Sequence, residues 1–425
     1  MTRPLLIKNG CIIDPSQNID KKGDLLIKDG MIASLDDKLS QADYDIFDAQ
    51  GMVVCPGFID LHCHLREPGY EDKETIASGG KAAAAGGFTT ICCMPNTDPP
   101  LDDRASIEYV FKTAAKASPV RVLPIGCITR GREGKGLAEM GELADTGVIG
   151  YSDDGDSVMD SNLLLKAMRY SLAFGLPLIE HCEDKSLSEG GQINEGITAT
   201  RLGLQGIPAA AEEVIISRDI ALAKESGARL HIAHVSTRGG AELIRRAKEK
   251  GIKITAEVTP HHLTLTEEAA LGYYTNAKVN PPLRTEGDIK ALIEGLKDGT
   301  IDAIATDHAP HTENDKRREF ALAPFGISGF ETALGSLMGL VHDGRIDLNL
   351  LISKLTVEPA KIVGKELGTL KVGATADITV FNPDEEWTVD TGKFLSKGKN
   401  TPLNGKKLKG RVKAVIAGGK LIYNG

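Results

Sequence analysis

The sequence predicts an α/β protein, a TIM (β/α)8 barrel with a small composite β-sandwich domain made from the N- and C-terminal segments. Three observations support this prediction. Apolar strand candidates alternate with helical segments through the middle of the chain, both chain ends carry short alternating runs, and the 425 residues exceed the ~250 that a barrel needs. We expect residues 1–52 and 366–425 to form the small domain and residues 53–365 the barrel.

The two chain ends share a hydrophobic pattern. The N-terminal segment contains the runs LLIKNGCIID, DLLIKDGMIASL and YDIFDAQ, separated by Gly and Asp turns, and the C-terminal segment contains ADITVFNP, EWTV and VKAVIAGGKLIY. Alternation of this kind predicts antiparallel strands with one buried face. Both ends are therefore expected to contribute to one small β domain.

The middle of the chain predicts the barrel itself. Apolar runs are separated by segments rich in Ala, Glu, Lys and Leu, which is the pattern of a parallel sheet closed by helical crossovers. The eight predicted strands are 53–62, 88–96, 121–129, 148–154, 176–183, 229–236, 253–261 and 302–310.

Composition and charge exclude several classes of partner. The net charge is −9 and basic residues form no long run, so nucleic acid and anionic membranes are poor partners and a small-molecule substrate fits better. No stretch of about 18 apolar residues occurs, and the N-terminus lacks the apolar region of a signal peptide. The seven cysteines include no C-x-x-C pair. We expect a cytoplasmic protein with reduced, mostly buried thiols.

Reactive residue types follow the predicted strands repeatedly. Barrel enzymes carry their chemistry at the C-terminal ends of the strands, so this distribution predicts one site at that face. The residues concerned are His62 and His64, Asn96, Asp153 and Asp154, His181, His234, and Asp307 with His308.

The pair His62 and His64 is the starting point of a predicted metal site. Residues i and i+2 of a strand face the same way, so both imidazoles can bind one ion. Two ions close together need a bridging anion, which either Asp153 or Asp154 can supply, although the SDDGD segment also reads as a surface turn. Imidazole and carboxylate ligands suit zinc.

Strand parity assigns the histidines further along the chain. His181 ends the apolar run LPLIE and is predicted at the site. His231 and His234 differ by an odd number, so they face opposite sides of their strand. We assign His234 to the barrel interior as a ligand and His231 to the helix-facing side.

The types and positions of Asp307, Arg66 and His311 indicate the class of reaction. Asp307 can contact a metal and also act as general base and then general acid. Arg66 and His311 can bind a carboxylate of the substrate. Asn96 and Asn280 are either neutral donors to substrate or turn and cap residues. The charged segment 311–325 is either a lid over the site or a solvated loop.

Eight motifs along the chain together resemble those of a known family. PGFIDLHCHLREPG, GGFTTICCMPNTDPP, SDDG, IEHCED, HIAHVST, TPHHL, NPPLR and ATDHAPH, in this order, resemble the amidohydrolase superfamily and closely resemble bacterial class I dihydroorotases. The late segment GTLKVGATADITVFNP is similar to a strand pair of that superfamily's small β domain. The resemblance spans nearly the whole chain.

The resemblance implies a role for each matching residue, with two Zn²⁺ ions per subunit. His62 and His64 would bind the first zinc, His181 and His234 the second, Asp154 would bridge both, and Asp307 would bind the first zinc and act as catalytic acid and base. The implied substrate-binding residues are His64, Arg66, Asn96, Asn280 and His311, with the backbone of Phe325 and Gly326.

The resemblance also implies a substrate. Hydantoinases, dihydropyrimidinases and many allantoinases bridge their metals with a carboxylated lysine, whereas VIGYSDDG contains none. We therefore expect zinc-dependent, reversible hydrolysis of (S)-dihydroorotate to N-carbamoyl-L-aspartate, a step of de novo pyrimidine (UMP) biosynthesis. The alternatives are another cyclic amidase, an allantoinase or dihydropyrimidinase, or a catalytically silent scaffold for aspartate carbamoyltransferase. We expect a homodimer, and association with aspartate carbamoyltransferase stays open.

Overall fold

The computed structural model describes residues 3–36 and 44–425. Its strands divide among a sheet built from both chain ends, a ring of parallel strands in the middle of the chain, and a separate pair of two-residue parallel strands. In chain order the strands are β1 Leu5–Asp14, β2 Ile19–Lys28, β3 Met31–Asp36, β4 Asp45–Asp48, β5 Val53–Pro56, β6 Phe58–Cys63, β7 Phe88–Cys93, β8 Arg121–Pro124, β9 Leu178–Glu180, β10 Ile193–Asn194, β11 Gly206–Ile207, β12 Leu230–Ile232, β13 Ile254–Val258, β14 Ala303–Ile304, β15 Ile378–Thr388, β16 Lys407–Ala417 and β17 Lys420–Asn424.

The helices cover the outside of the ring and connect its strands. Several begin at a side chain that caps the first turn; Asp103, for example, accepts a hydrogen bond from the backbone N–H of Ser106. None of the helices in the described ranges is long and apolar enough to cross a bilayer. The α-helices are α1 Ile76–Ala85, α2 Arg104–Ala117, α3 Met140–Thr146, α4 Ser161–Ser171, α5 Lys185–Ser188, α6 Ile197–Leu202, α7 Ala210–Ser226, α8 Arg238–Glu249, α9 Pro260–Thr264, α10 Glu286–Asp298, α11 Glu313–Lys316, α12 Ala333–His342, α13 Leu348–Leu355 and α14 Val357–Val363.

The first sheet joins the two ends of the chain. Its strand order is β17-β16-β15-β5-β1-β2-β3, with β4 paired to β1. The main strand pairing between the two ends is the antiparallel pair β5 and β15, in which Val54 lies opposite Val380. Both of these side chains are fully buried, in a cluster with Ile7 and Ile416. The predicted composite β domain is thereby confirmed.

The second group of strands closes into a barrel. Parallel pairing runs through β6-β7-β8 and through β9-β12-β13-β14. Tyr151 joins the two groups, because it forms parallel bridges to Gly126 and to Leu178, and a parallel bridge from Cys63 to His308 closes the ring. The predicted fourth strand, 148–154, is thus reduced to a short bridge. The predicted TIM barrel is confirmed.

The first predicted barrel strand, 53–62, belongs to both domains. Its first part, β5, is in the small sheet, and its second part, β6, is in the barrel. Gly57 lies between them and packs so closely that a Cβ there would be 2.2 Å from Thr89 Oγ1. Only glycine fits at such a close approach. We propose that the domains meet at this glycine rather than after residue 52.

Apolar side chains fill the interior of the barrel. Ile59, Leu123, Ile179 and Ala303 are in one buried cluster with residues of α14 such as Val363. α14 therefore closes the N-terminal end of the strands, since its side chains pack against the inward-facing residues. The open end is the C-terminal one, where barrel enzymes carry their sites.

A segment that precedes β16 reaches the open end of the barrel. Asn400 is 3% exposed, and its amide nitrogen donates to the carbonyl oxygens of Ala309 and Gly326, both at 3.0 Å. Its side-chain oxygen accepts from the backbone N–H of His311 at 2.9 Å and from Ser328 Oγ at 2.8 Å. This one side chain therefore holds the loop after β14 in place.

We expect Asn400→Ala to lower the free energy of unfolding by about 2–4 kcal/mol, because it leaves buried backbone groups without partners. Asn404→Ala is the matched control. Asn404 is exposed and accepts a single bond, from the N–H of Thr391. Urea titrations of the three proteins measure the difference, and equal midpoints for all three would contradict the role given to Asn400.

Candidate active site

A cavity of about 860 Å³ opens at the C-terminal ends of the barrel strands. The predicted metal-binding and substrate-binding residues line it except His62, which is fully buried next to Asp154 and Asp307. Asp153 and His308, which the sequence also placed at this face, are not part of the lining. The lining also includes residues that the sequence did not predict. These are Gly155, Glu183, Lys185, Ser186, Ser188, Glu189, Gly190, Gly191, Gln192, Ile207, Val279 and Ala309.

Two histidines and two aspartates form the first candidate metal position. His62 Nε2 lies 3.4 Å from Asp154 Oδ1 and 3.5 Å from Asp307 Oδ1. His64 Nε2 lies 3.6 Å from Asp154 Oδ2 and 3.1 Å from Asp307 Oδ1. Nitrogen and oxygen ligand atoms therefore converge on one point from β6 and from the ends of two further strands.

The second candidate position shares Asp154. His181 Nδ1 and His234 Nε2 are 2.9 Å apart, and they lie 3.8 Å and 3.6 Å from Asp154 Oδ1. In this trio and in the trio of His62, His64 and Asp154, the possible ligand atoms all lie within 4.8 Å of one another. Asp154 therefore stands where a carboxylate can bridge two ions.

The polar atoms of this centre fit a divalent cation. His62 Nε2 and Asp154 Oδ1 are buried and have no hydrogen-bond partner among residues 3–36 and 44–425, an arrangement that costs free energy unless an ion or water satisfies them. Burial lowers the pKa of His62, but Asp154 and Asp307 outweigh burial and raise this pKa well above its usual value. The carboxylates thus attract positive charge to the centre, and imidazole with carboxylate is a donor set typical of zinc.

The backbone departs from regular strand geometry where it delivers these ligands. Asp60 pairs with Ile91 and Cys63 with Cys93, so β6 has one extra residue in a bulge between them. As a result Leu61 and His62 both point into the barrel. His234 and Asp307 have left-handed backbone conformations, with φ of 33° and 45°. Such strain in residues other than glycine is frequent at functional sites.

The prediction that His231 faces the helices is wrong. Its Nε2 donates to Glu257 Oε2 at 3.1 Å, while Glu257 Oε1 accepts from His62 Nδ1 at 2.9 Å. Its strand neighbour Ile232 packs in the helix-facing cluster instead. The backbone is left-handed at His234, so side chains no longer alternate strictly between the two sides of the strand there. Counting alternate residues back from His234 therefore assigned His231 to the wrong side.

Glu257 is a site residue that the sequence reasoning missed. It is 1% exposed and accepts from both His62 and His231. Burial alone would raise the pKa of its carboxyl, but the hydrogen bonds from the two histidines lower it to about 2. A single acidic residue inside the apolar run KITAEV was the signal that could have found it. A carboxylate behind a metal-binding histidine fixes its tautomer and its orientation.

Two further polar residues form hydrogen bonds to the candidate ligand histidines. Asn96 Oδ1 accepts from His64 Nδ1 at 2.8 Å, so this residue contacts the candidate metal centre as well as the cavity. Glu183 Oε2 accepts from His181 Nε2 at 3.3 Å. Glu183 also was not predicted, although it follows His181 by two residues and so lies on the same side of an extended chain.

The choice between the two adjacent aspartates follows from their partners. Asp153 turns away from the cavity, and its Oδ1 accepts from the backbone N–H groups of Ile128 and Thr129 at 2.9 Å and 3.1 Å. Asp154 faces four imidazoles. Only Asp154 is therefore in a position to bind metal.

The other end of the cavity is cationic. Arg66 Nη2 lies 3.4 Å from His311 Nε2, and Arg66 Nε donates to the carbonyl oxygen of Pro310 at 3.2 Å. Arg66 has a φ of 63°, so it does not continue the strand face as an extended residue would. A guanidinium beside an imidazole is suited to bind a carboxylate. Asn280 lies between this end and the metal centre, its Nδ2 3.4 Å from His181 Nε2.

Some backbone hydrogen-bonding groups of Phe325 and Gly326 already have partners within the protein. The Phe325 carbonyl oxygen accepts from His311 Nε2 at 2.7 Å. Gly326 donates its N–H to the carbonyl oxygen of Lys278 at 2.9 Å, and its own carbonyl accepts from Asn400. A carbonyl oxygen can accept a second bond, so Phe325 keeps a group for the substrate, whereas the Gly326 N–H is already engaged.

Comparison with known proteins gives consistent results. Residues 51–240 match the family described as Dihydro-orotase-like. The chain is 54% identical to the dihydroorotase of Caldanaerobacter subterraneus subsp. tengcongensis, over 99% of this chain and 97% of that one. It is 50% identical to the dihydroorotase of Geobacter sp. strain M21, over 99% of both. The solved L-hydantoinase (dihydropyrimidinase) from Arthrobacter aurescens aligns with a TM-score of 0.90 at 26% identity, over 100% of this chain and 96% of that one.

We expect Glu257→Gln to weaken metal binding by about 10- to 100-fold, because the amide cannot accept from both histidines with its two terminal atoms. Competition with a chelator measures this affinity. Glu331→Gln is the control, since Glu331 is a half-buried carboxylate outside the cavity that accepts from the backbone N–H groups of Leu395 and Ser396. Equal metal retention in both variants would show that Glu257 does not support the centre.

Proposed function

The chain belongs to the dihydroorotase family of the amidohydrolase superfamily, and we propose that it uses two zinc ions to convert (S)-dihydroorotate reversibly to N-carbamoyl-L-aspartate. The observation that carries the proposal is the convergence of four imidazoles on the carboxylate of Asp154, with the guanidinium of Arg66 and the imidazole of His311 at the other end of the cavity. A metal centre that hydrolyses a cyclic amide and a binding site for a carboxylate are the two things that this substrate requires.

Each ligand has a place in the proposed centre. His62, His64 and Asp307 would hold the first ion, His181 and His234 the second, and Asp154 both. When bound, zinc supplies a Lewis acid for the amide carbonyl and lowers the pKa of water into the neutral range. No nucleophilic side chain is then required.

Asp307 is the proposed proton carrier. Burial would raise the pKa of its carboxyl, but His62 and His64 outweigh burial and hold the pKa well below its usual range, so the group is ionised and ready to accept a proton. In hydrolysis Asp307 takes the proton of the attacking water and passes it to the ring nitrogen as the amide bond breaks. Ring closure follows the same path in reverse.

The substrate carboxylate is proposed to lie between Arg66, His311 and Asn96. Arg66 can donate two parallel hydrogen bonds to it, which fixes the ring relative to the metal centre. Asn280 would contact the ring, and the backbone of Phe325 and Gly326 would face its amide edge, with Phe325 carrying the free groups. His64 borders the same space.

The cationic end of the cavity and the full set of ligands do not favour the alternative functions. Dihydrouracil and allantoin carry no carboxylate, so neither one uses the cationic end of the cavity. A silent scaffold would have no need of six ligands, yet His62, His64, Asp154, His181, His234 and Asp307 are all present. The homodimer, the cytoplasmic location and an association with aspartate carbamoyltransferase stay predictions.

Asp307→Asn should retain bound metal and lose about 10²- to 10⁴-fold in kcat, because the amide cannot accept and return a proton. The measurement is metal content by elemental analysis together with turnover of dihydroorotate. Asp156→Asn is the control, because Asp156 is an exposed carboxylate of the same SDDGD segment. A fully active Asp307→Asn enzyme would refute the assigned role.

Metal removal and a substrate panel test the function as a whole. We expect about two zinc ions per chain, loss of activity after chelation, and recovery when zinc is returned. The enzyme should turn over dihydroorotate and leave allantoin and dihydrouracil essentially unchanged. A preference for either of the other two substrates would overturn the substrate assignment, and undiminished activity in the metal-free protein would overturn the mechanism.

A further inference from the structure

Two buried lysines lie behind the loop that borders the cationic end of the cavity. Lys278 is 3% exposed and Lys316 is 6% exposed. Lysine is almost never buried to this extent without a partner of opposite charge. In residues 3–36 and 44–425 neither ammonium group forms a salt bridge, and the nearby Asp315 pairs with Arg318 instead.

The acceptors of these lysines are neutral, and most of them are main-chain carbonyls. Lys278 Nζ donates to the carbonyl oxygens of Phe320 at 2.7 Å and Ala321 at 3.2 Å, and to the side-chain oxygen of Gln192. The ammonium group also lies 4.6 Å from the centre of the Phe325 ring, a cation–π contact. Lys278 therefore ties the 188–192 wall of the cavity to the segment 320–325.

Lys316 binds the same loop from its other side. Its Nζ donates to the carbonyl oxygens of Pro324 at 2.7 Å, Thr275 at 3.1 Å and Lys278 at 3.3 Å. Pro324 is the residue before Phe325, and the carbonyl of Lys278 also accepts from the N–H of Gly326. Each lysine thus has three acceptors for its three protons, and four of the six lie within residues 278–324.

The arrangement is costly, which argues that it has a use. Burial lowers the pKa of Lys278 to about 8 and that of Lys316 to about 7, the latter also because Lys278 is close. An apolar side chain would fill either position without this cost. What the ammonium groups add is a fixed set of directional bonds to a loop that otherwise has little regular structure.

We propose that Lys278 and Lys316 are positioning residues that hold Phe325 and Gly326 against the substrate and thereby set substrate affinity. This inference rests on the proposed function, because the loop matters only if the substrate ring lies beside it. The lysines touch neither the metal ligands nor the reacting atoms, so their loss should act on binding rather than on the chemical step.

Lys316→Met tests the proposal, with Lys354→Met as the matched control. Lys354 is also a buried lysine that donates to a main-chain carbonyl, that of Ile301, but it lies on α13, outside the cavity lining. We expect Lys316→Met to raise KM for dihydroorotate about 10-fold or more with kcat within about threefold, and Lys354→Met to change neither. An unchanged KM in Lys316→Met, or the same rise in Lys354→Met, would overturn the proposal.

Hydrogen exchange gives a readout that does not depend on activity. The amides of Leu322, Ala323 and Gly326 all have main-chain acceptors, and their protection should fall about 10-fold or more in Lys316→Met. If the parent protein does not turn over dihydroorotate, the proposed function fails, whereas the exchange data still decide whether the lysines hold the loop. Unchanged protection would refute the positioning role.

A milder variant covers the case in which Lys316→Met does not fold. Gln192→Ala removes one of the three acceptors of Lys278 at the cavity wall and leaves both lysines in place. We expect the same direction of change, about threefold in KM and in the protection of Gly326, with kcat retained. Parental values for both quantities would count against the proposal.

Discussion

The carboxylate of Asp154 imposes the constraint on which the rest of the active face depends. Four imidazoles from three other strands approach it at 3.4–3.8 Å. A closed parallel barrel satisfies this requirement, because all its strands end on the same rim and its interior is small enough for groups from opposite strands to meet. At this rim the backbone adopts unfavourable geometry, in the bulge of β6 and in the left-handed conformations of His234 and Asp307.

The outer partners of the histidines decide which nitrogen faces the centre. His62 and His64 each donate from Nδ1, to Glu257 and to Asn96, and so present Nε2. His181 faces Glu183 with Nε2 and presents Nδ1. The two kinds of ligand atom therefore follow from where the outer carboxylate or amide lies, and a histidine with its ring reversed would point its lone pair away from the site.

The sequence was sufficient for the barrel, for the composite sheet and for the residues at the strand ends, because each of these leaves a periodic or positional signal. It was insufficient where the backbone breaks its period. His231 was assigned to the wrong side because parity fails at His234, and the strand at 148–154 is reduced to a bridge at Tyr151. Residues such as Lys278 and Lys316 left no signal at all, since their role comes from carbonyl groups that only the folded chain brings together.

The structure separates the chemistry of the site from its recognition of the substrate. Metal ligands lie at the ends of barrel strands, which are held by closure of the ring and by the packed interior. The cationic end is held instead by hydrogen bonds from side chains, such as Asn400, which is distant in sequence, and Lys316 at the end of α11. A hydantoinase can therefore share the fold at a TM-score of 0.90 with only 26% identity, because the common shape belongs to the barrel and the sheet. A change of substrate then requires changes mainly in the loops and their anchors, where a few hydrogen bonds move a binding group without disturbing the metal centre.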